Sequence, residues 1–293
     1  MKKTVTDSVE LLTFLKEIFT NTSTNKIRKM LTTGRVTVNN TVIHKAKHIL
    51  VQNDVVEIGD KTTKPPTSST NIPIKNLKIN LIYEDEYILV VEKPPKVLSV
   101  ATDKLESETL HAKCVDYLKQ TDPNAWAYIV HRLDKETSGV MLLAKHKSAK
   151  NYLQEQFAER AVYRIYHALI EGVPEEELGT VKQYLLEDKN LNIKTTTKSH
   201  KDAKLAITHW EVLSTNNDSS IVRVMIETGR RHQIRMAMKS LGHPIVGDLI
   251  HGAETDPFSR ICLHATSLEF LHPQTDEPVS YTHLRAHETR SYL

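Results

Sequence analysis

At 293 residues the chain is long enough for two folded units, and 39% hydrophobic with 26% charged residues is the balance of an ordinary globular protein. No run of about 18 apolar residues occurs, which excludes a membrane-spanning helix, and two cysteines, Cys114 and Cys262, make neither a disulfide framework nor a metal cluster. The net charge is only +3, but it is unevenly spread. No acidic residue lies between Glu17 and Asp54, where Lys26, Arg28, Lys29, Arg35, Lys45 and Lys47 fall. None lies between Thr228 and Gly247, which holds Arg230, Arg231, Arg235 and Lys239. Two such windows in one chain favour a phosphate-rich ligand over merely solvated basic faces. Asp7, Glu10 and Glu17 interrupt the start of the chain, so no signal peptide is expected and a reducing cytoplasm is the expected home.

In chain order, Val9, Leu11, Leu12, Leu15 and Ile18 recur at near-helical spacing and predict an amphipathic helix. A second helix is predicted over 24–32, with Ile27, Met30 and Leu31 on one side, Lys26, Arg28 and Lys29 on the other, and Gly34 as its stop. RVTVNN then reads as a short strand turning at Asn39-Asn40, and DVVEI at 54–58 as another. The Thr-, Ser- and Pro-rich segment that follows, with Pro65-Pro66, cannot be helical and reads as a linker. The expected organisation is a small α/β unit at 1–60, a linker at 61–77, a larger unit at 78–280 and a tail at 281–293.

The larger unit opens with the continuous apolar run Ile88–Val91, which predicts a strand buried on both faces. A helix is predicted over 109–118, strands over 128–130 and 140–145, a helix over 147–160 and a strand in RIYHALIEG at 164–172. After a polar, basic stretch at 187–204, strands are expected at 205–213 and 221–227, then a helix at 231–241. Many strands with few helices predict an α+β fold on a mixed, mainly antiparallel sheet.

Three segments carry candidate chemistry. HRLDKETSG at 131–139 places Asp134 on a tight connection between two strands, where it serves equally well as a rigidly held carboxylate, a turn residue or a partner for Arg132. In GRRHQIR at 229–235 arginines crowd a helix N-terminus, an arrangement that favours an anion. His232 and His243 lack metal-ligand spacing and read as structural histidines. In RIYHALIEG, Tyr166 lies on an alternating strand, where a tyrosine is as often packing as chemistry.

Taken together, residues 80–280 resemble the RluA family of pseudouridine synthases. The resemblance rests on EKPPKVLSV, HRLDKETSG, RIYHALIEG, HKDAKLAITHWEVL, GRRHQIR, GHPIVGD and RICLHATSLEFLHP, in that order. Lys96 stands where a glycine is common. Residues 8–59 resemble the S-four-like RNA-binding domain, named after a ribosomal protein, with Asn53 in place of a usual glycine. The resemblance implies that Asp134 is the catalytic carboxylate, that Tyr166 stacks near the uracil and moves a proton from its carbon 5, and that Arg235 pairs with Asp134. Arg132 would fill the gap left by an extruded base; Arg230 and His232 would contact RNA, and Arg28, Lys29 and Arg35 would follow its phosphate backbone.

It implies a monomeric isomerase of structured RNA, ribosomal rather than transfer RNA, with no metal or cofactor and no membrane partner. Isomerisation breaks the bond from uridine nitrogen 1 to the ribose and remakes it to carbon 5, with no redox change. A carboxylate suffices, provided an arginine keeps it ionised against burial. A catalytically silent RNA-binding or ribosome assembly factor is the alternative, and intact Asp134, Tyr166 and Arg235 weigh against it. The ending YTHLRAHETRSYL departs from the resemblance, looks adaptor-derived, and would truncate the last strand. Restoring a native-like strand at 281–293 is then expected to raise the melting temperature in a thermal denaturation scan; unchanged stability would show that no strand was lost.

Overall fold

The computed structural model describes residues 1–20, 22–32, 35–43, 45–59, 79–102, 106, 108–188 and 191–283. The predicted linker, Gly34, the side chain of Lys29 and all of the tail beyond His283 lie outside the described residues. The chain forms two compact units: Met1–Leu77 with Ala101–Thr109, and Lys78–Val100 with Leu110–Leu293. Among the described residues no helix is long and apolar enough to cross a membrane.

The first unit runs β1 (Lys2–Thr4), β2 (Val9–Glu10), α1 (Leu11–Ile18), α2 (Thr24–Thr32), β3 (Val36–Val38), β4 (Thr41–Val42), β5 (Ile49–Leu50) and β6 (Val55–Ile58). Four strands form an antiparallel sheet in the order β1-β6-β3-β4, and β2 pairs with β5. Leu11 and Leu15 of α1 and Ile27 and Leu31 of α2 are fully buried with Val36, Leu50 and Val56, as the helical spacing predicts. Asn39 and Asn40 both take positive φ (49° and 66°), the geometry of a two-residue hairpin turn. Asn53 is left-handed too (φ 71°), the conformation for which a glycine would be the default and which asparagine tolerates.

The second unit contains β7 (Asn80–Glu84), β8 (Ile88–Lys93), α3 (Leu110–Leu118), β9 (Tyr128–Ile129), β10 (Ser138–Ala144), α4 (Lys147–Glu159), β11 (Tyr163–Glu171) and β12 (Leu178–Glu187). It continues with β13 (Ile193–Thr196), β14 (Lys204–Thr215), β15 (Ser219–Ile226), α5 (Gln233–Ser240), a 3₁₀ turn (Leu249–His251), β16 (Leu263–Leu271) and β17 (Pro278–Thr282). The sheet order is β13-β12-β14-β15-β11-β16-β10-β8-β7, with β9 beside β10 and β17 beside β16. Among the described strands only the β10–β16 pair is parallel, so the sheet is mixed and mainly antiparallel and the fold is α+β, as the alternation of strands and few helices predicts.

Every residue of β8 and β10 is buried, and the cause is a helix on each face. Leu89, Val91, Met141 and Leu143 pack against Leu110, Cys114 and Leu118 of α3, whereas Val90, Val140 and Leu142 pack with Ala149 and Leu153 of α4. Farther along the sheet, Ile234, Ala237 and Met238 of α5 cover Ala168, Ile170, Val222 and Val224. Several strands escaped the periodicity, β12 and β13 among them. These two fall in polar sequence (Thr180, Lys182 and Gln183; Lys194 to Thr196), and most of their side chains are partly or fully exposed. Backbone pairing with β14 and with each other makes them strands, from Leu178↔Glu211 to Leu185↔Lys204 and from Tyr184↔Thr196 to Glu187↔Ile193.

The last strand extends past the expected boundary at 280. Tyr281 and Thr282 pair with Leu268 and Ser267, and the Tyr281 ring packs on Tyr83 and Phe270, with centroids 5.0 and 5.9 Å away.

The parallel contact between β10 and β16 is made by Ser138 and Gly139 at the end of HRLDKETSG. Gly139 has φ of 119°, and a Cβ there would lie 2.1 Å from the carbonyl oxygen of Ala265. Gly139→Ala is therefore expected to cost about 3 kcal/mol or more, measurable as a drop in melting temperature on the order of 10 °C.

Candidate active site

The loop at 131–137 joins β9 to β10 and carries Asp134, and the backbone on either side of that residue is clamped. On one side Ser99 Oγ donates to the carbonyl of Leu133 (2.7 Å) and accepts from its N–H (3.1 Å). On the other, Lys93 Nζ donates to the carbonyl of Lys135 (2.9 Å) and to those of Pro94 (3.0 Å) and Val97 (2.7 Å). Lys93 is fully buried. Burial pulls its pKa down to about 7, while the charges of Glu136 and Asp134 hold it up. Arg260 Nη2 donates to Ser138 Oγ (2.9 Å), securing the start of β10. Lys93 and Ser99 were not among the residues singled out from sequence, although an ionisable residue ending an apolar run, as Lys93 does, is a signal of buried polar work.

Lys96 adopts φ of 66° within the same segment. A glycine suits that position for a backbone reason, and the lysine accepts a small strain there.

Burial raises the Asp134 carboxyl above the usual aspartate range. Opposing it are the charges of Arg235, Arg231 and Arg132, in that order, and the backbone N–H of His232. Among the described residues no side chain makes a hydrogen bond or ion pair with Asp134, so the carboxylate is surrounded by positive charge without being consumed by it. His232 is the N-cap of α5 with φ of 53°, so the amide beside Asp134 belongs to a helix N-terminus. The His232 ring is hydrogen-bonded through Nδ1 to His251 Nε2 (2.9 Å), and burial presses its pKa down to about 3, so the ring is neutral.

Arg235 does not form the expected hydrogen-bonded pair with Asp134. Its Nε and Nη2 donate in a fork to Oδ2 and Oδ1 of Asp248, both at 2.6 Å and both residues buried. Its charge still acts on Asp134 more strongly than any other. Asp248, the last residue of GHPIVGD, was missed as this partner. A lone acid closing an apolar segment carries no address for the arginine it will meet.

Tyr166 lies on β11 between β15 and β16, opposite Val224 and Ala265. Burial pushes its hydroxyl up to about 12, Arg164 draws it down and the charge of Asp134 raises it, so Tyr166 and Asp134 share one electrostatic site. The structure thus gathers Asp134, Tyr166, Arg235, His232 and Arg132 and adds Arg231, whose Nη1 also pairs with Glu187 at 2.5 Å. Arg132 and Arg230 are exposed, and Arg230 Nε donates to the carbonyl of Leu205 (3.1 Å). His243 is satisfied structurally, its Nδ1 hydrogen-bonded to the carbonyl of Glu171 (2.8 Å).

The remaining predicted contacts belong to the first unit. Arg28 is exposed on α2. Arg35 is half-buried, and its Nε donates to the carbonyl of Gly59 (2.9 Å), a structural use that leaves part of the guanidinium for a ligand.

Comparison with known proteins places these observations. Residues 87–240 match the RNA pseudouridylate synthase family. The chain is 37% identical to the dual-specificity RNA pseudouridine synthase RluA of Vibrio cholerae over 69% of this chain and 81% of that protein. It is 30% identical to the ribosomal large subunit pseudouridine synthase C of the same organism, over 94% of this chain and 89% of the other. Among solved structures, human RNA pseudouridylate synthase domain containing 1 superimposes with a TM-score of 0.59 at 27% identity, covering 71% of this chain and 84% of that one.

A carboxyl whose pKa is raised on folding destabilises the native state when ionised. The unfolded chain loses its proton first, so stability falls as pH rises through the ordinary aspartate range and up to the raised value, and the penalty persists above it. Asp134→Asn is therefore expected to melt at a higher temperature than wild type at pH 7. The gap should close as the pH falls below the ordinary aspartate range; a lower melting temperature at pH 7 would contradict this electrostatic account.

Proposed function

The chain belongs to the RluA family of RNA pseudouridine synthases, and on that premise we propose that Asp134 is the carboxylate with which it isomerises a uridine in ribosomal RNA. The observation carrying this reading is an aspartate with no side-chain partner, held beside three guanidinium groups, a helix N-terminal amide and a buried tyrosine. The carboxylate has two routes, attack on the anomeric carbon and removal of the ribose 2′ proton, and both need it ionised. Arg235 serves that need best because Asp248 holds its guanidinium fork in place while its charge reaches Asp134. Tyr166, whose hydroxyl feels the charge of the carboxylate, would face the uracil and carry the carbon 5 proton. A target base must leave its stack at a cost of a few kcal/mol. Arg132, exposed one residue from Leu133 and two from Asp134, has the length and charge to fill the gap and offset part of that cost.

The preference for ribosomal RNA is supported by the name of the Vibrio cholerae relative that aligns along nearly all of this chain. The basic sequence of α2, with Arg28 and Lys29, and Arg35 just before β3 support docking on a phosphate backbone. The cytoplasm is the proposed place of action.

Tritium release from RNA labelled at uridine carbon 5 tests the assignment. Asp134→Asn is expected to lose at least about 10³-fold in rate while RNA affinity is little changed; wild-type activity in that variant would sink the role given to Asp134. Loss of pseudouridine from transfer RNA, and none from ribosomal RNA, in cells lacking the protein would overturn the choice of substrate.

A further inference from the structure

Outside the groups that surround Asp134, a column of side chains touches all three catalytic segments. His131, the first residue of HRLDKETSG, accepts a hydrogen bond at Nε2 from the N–H of Leu142 (2.9 Å). Its ring stacks on Phe157 of α4, with centroids 4.9 Å apart and planes 18° from parallel. The Arg164 guanidinium lies over the same Phe157 ring, its Cζ 5.7 Å from the centroid. Arg164 Nη2 then reaches the carbonyls of Ile226 (3.4 Å) and Glu227 (3.2 Å), where β15 gives way to the loop that leads to Arg235. In that loop a Cβ on Gly229 would lie 2.9 Å from Arg164 Nη1, so the glycine leaves room for the guanidinium.

Arg164 also stands two residues before Tyr166 on β11, beside the register shift between Ile165 and Tyr166 in the ladder with β16, and its charge reaches the Tyr166 hydroxyl. Among the described residues no carboxylate pairs with Arg164, and its Nε is buried without a hydrogen-bond partner. A half-buried guanidinium held only by two carbonyls and a phenyl ring is a costly way to fill space. Stability alone does not account for it.

We propose that Arg164 is a positioning residue for the isomerisation, which through the column His131–Phe157–Arg164–Gly229 sets the Asp134 loop, the Tyr166 strand and the arginine loop in one register. The proposal rests on the roles given to Asp134 and Tyr166. The physical logic is pre-organisation: a carboxylate, a phenol and a guanidinium on three separate segments act together only if their spacing is held within a fraction of an ångström. Electrostatics agree with the geometry. Arg164 is the charge that draws the buried Tyr166 hydroxyl down. It also acts on His131, whose pKa burial presses down to about 3, consistent with a neutral, hydrogen-bond-accepting ring.

Single-turnover tritium release and hydrogen exchange, measured on the full chain, test this together. Arg164→Ala is expected to slow the chemical step on the order of 100-fold, with the RNA concentration for half-saturation moved by less than about threefold. Arg164→Lys, which keeps charge but not the planar fork, should recover part of the rate. Gly229→Ala should slow the wild-type enzyme by displacing the guanidinium, yet add nothing in the Arg164→Ala background, because the atom it displaces is gone. Amides of 131–137 and 227–233 should exchange faster in Arg164→Ala while those of β8 and β10 do not.

A loss confined to RNA affinity would make Arg164 an RNA contact and overturn the proposal. So would additive effects of Gly229→Ala and Arg164→Ala, or unchanged exchange in both segments. If Arg164→Ala does not fold, Arg164→Lys and Gly229→Ala decide by the same two readouts. A wild-type protein that releases no tritium defeats the functional reading alone, and the exchange comparison still judges the column.

Discussion

The buried guanidinium of Arg235 is the constraint from which the site follows. A charge taken out of water is costly unless compensated, and Asp248 compensates it with two short, parallel hydrogen bonds. That pairing leaves the positive charge where Asp134 feels it without neutralising Asp134 by contact. Had Arg235 closed its fork on Asp134 instead, the carboxylate would be ionised but engaged. The structure divides the work between two acids: Asp248 takes the hydrogen bonds, and Asp134 feels the charge. The same pair ties the first turn of α5 to the segment around Gly247, a glycine whose added Cβ would meet the carbonyl oxygen of Arg260 at 2.0 Å. Arg260 in turn holds Ser138.

The sheet supplies the rigidity this arrangement needs. β8 and β10 are covered on both faces by α3 and α4, so the strand that leaves the Asp134 loop has no freedom to shift. Lys93 at the end of β8 and Ser99 just beyond it pin the residues after and before Asp134. The Asp134 side chain is therefore positioned by its backbone, and among the described residues no side chain engages its oxygens. Each polar clamp is buried and satisfied, which is what keeps such a network from loosening the core.

Much of this was legible in the sequence because it is written locally. The apolar run Ile88–Val91 marks a strand covered on both faces, the spacing of Leu11, Leu15, Ile27 and Leu31 marks two packed helices, and the paired asparagines at 39–40 mark a hairpin turn. The candidate residues Asp134, Tyr166 and Arg235 were reached through ordered motifs, since each residue alone has an innocent explanation. β12 and β13 were not legible: their partly exposed, polar faces carry no alternation, and only the ladder with β14 makes them strands. Lys93 was missed for a different reason: a lysine ending an apolar run signals buried polar work, but the carbonyls it clamps lie on segments that only the fold brings to it.

What the sequence determined by itself, then, is the inventory: an α+β catalytic unit after a small basic one, the segments that carry chemistry, and the residue types that chemistry requires. Local periodicity and turn preference depend on neighbours in the chain, so they can be read from the chain. Partnership cannot. That Arg235 grips Asp248 while acting on Asp134, that Lys93 and Ser99 clamp either side of Asp134, and that Arg164 bridges from Phe157 to the arginine loop are decided by which distant segments the sheet brings together. Hydrogen bonds and burial at those meeting points set each group's charge, and they exist only once the strands have paired.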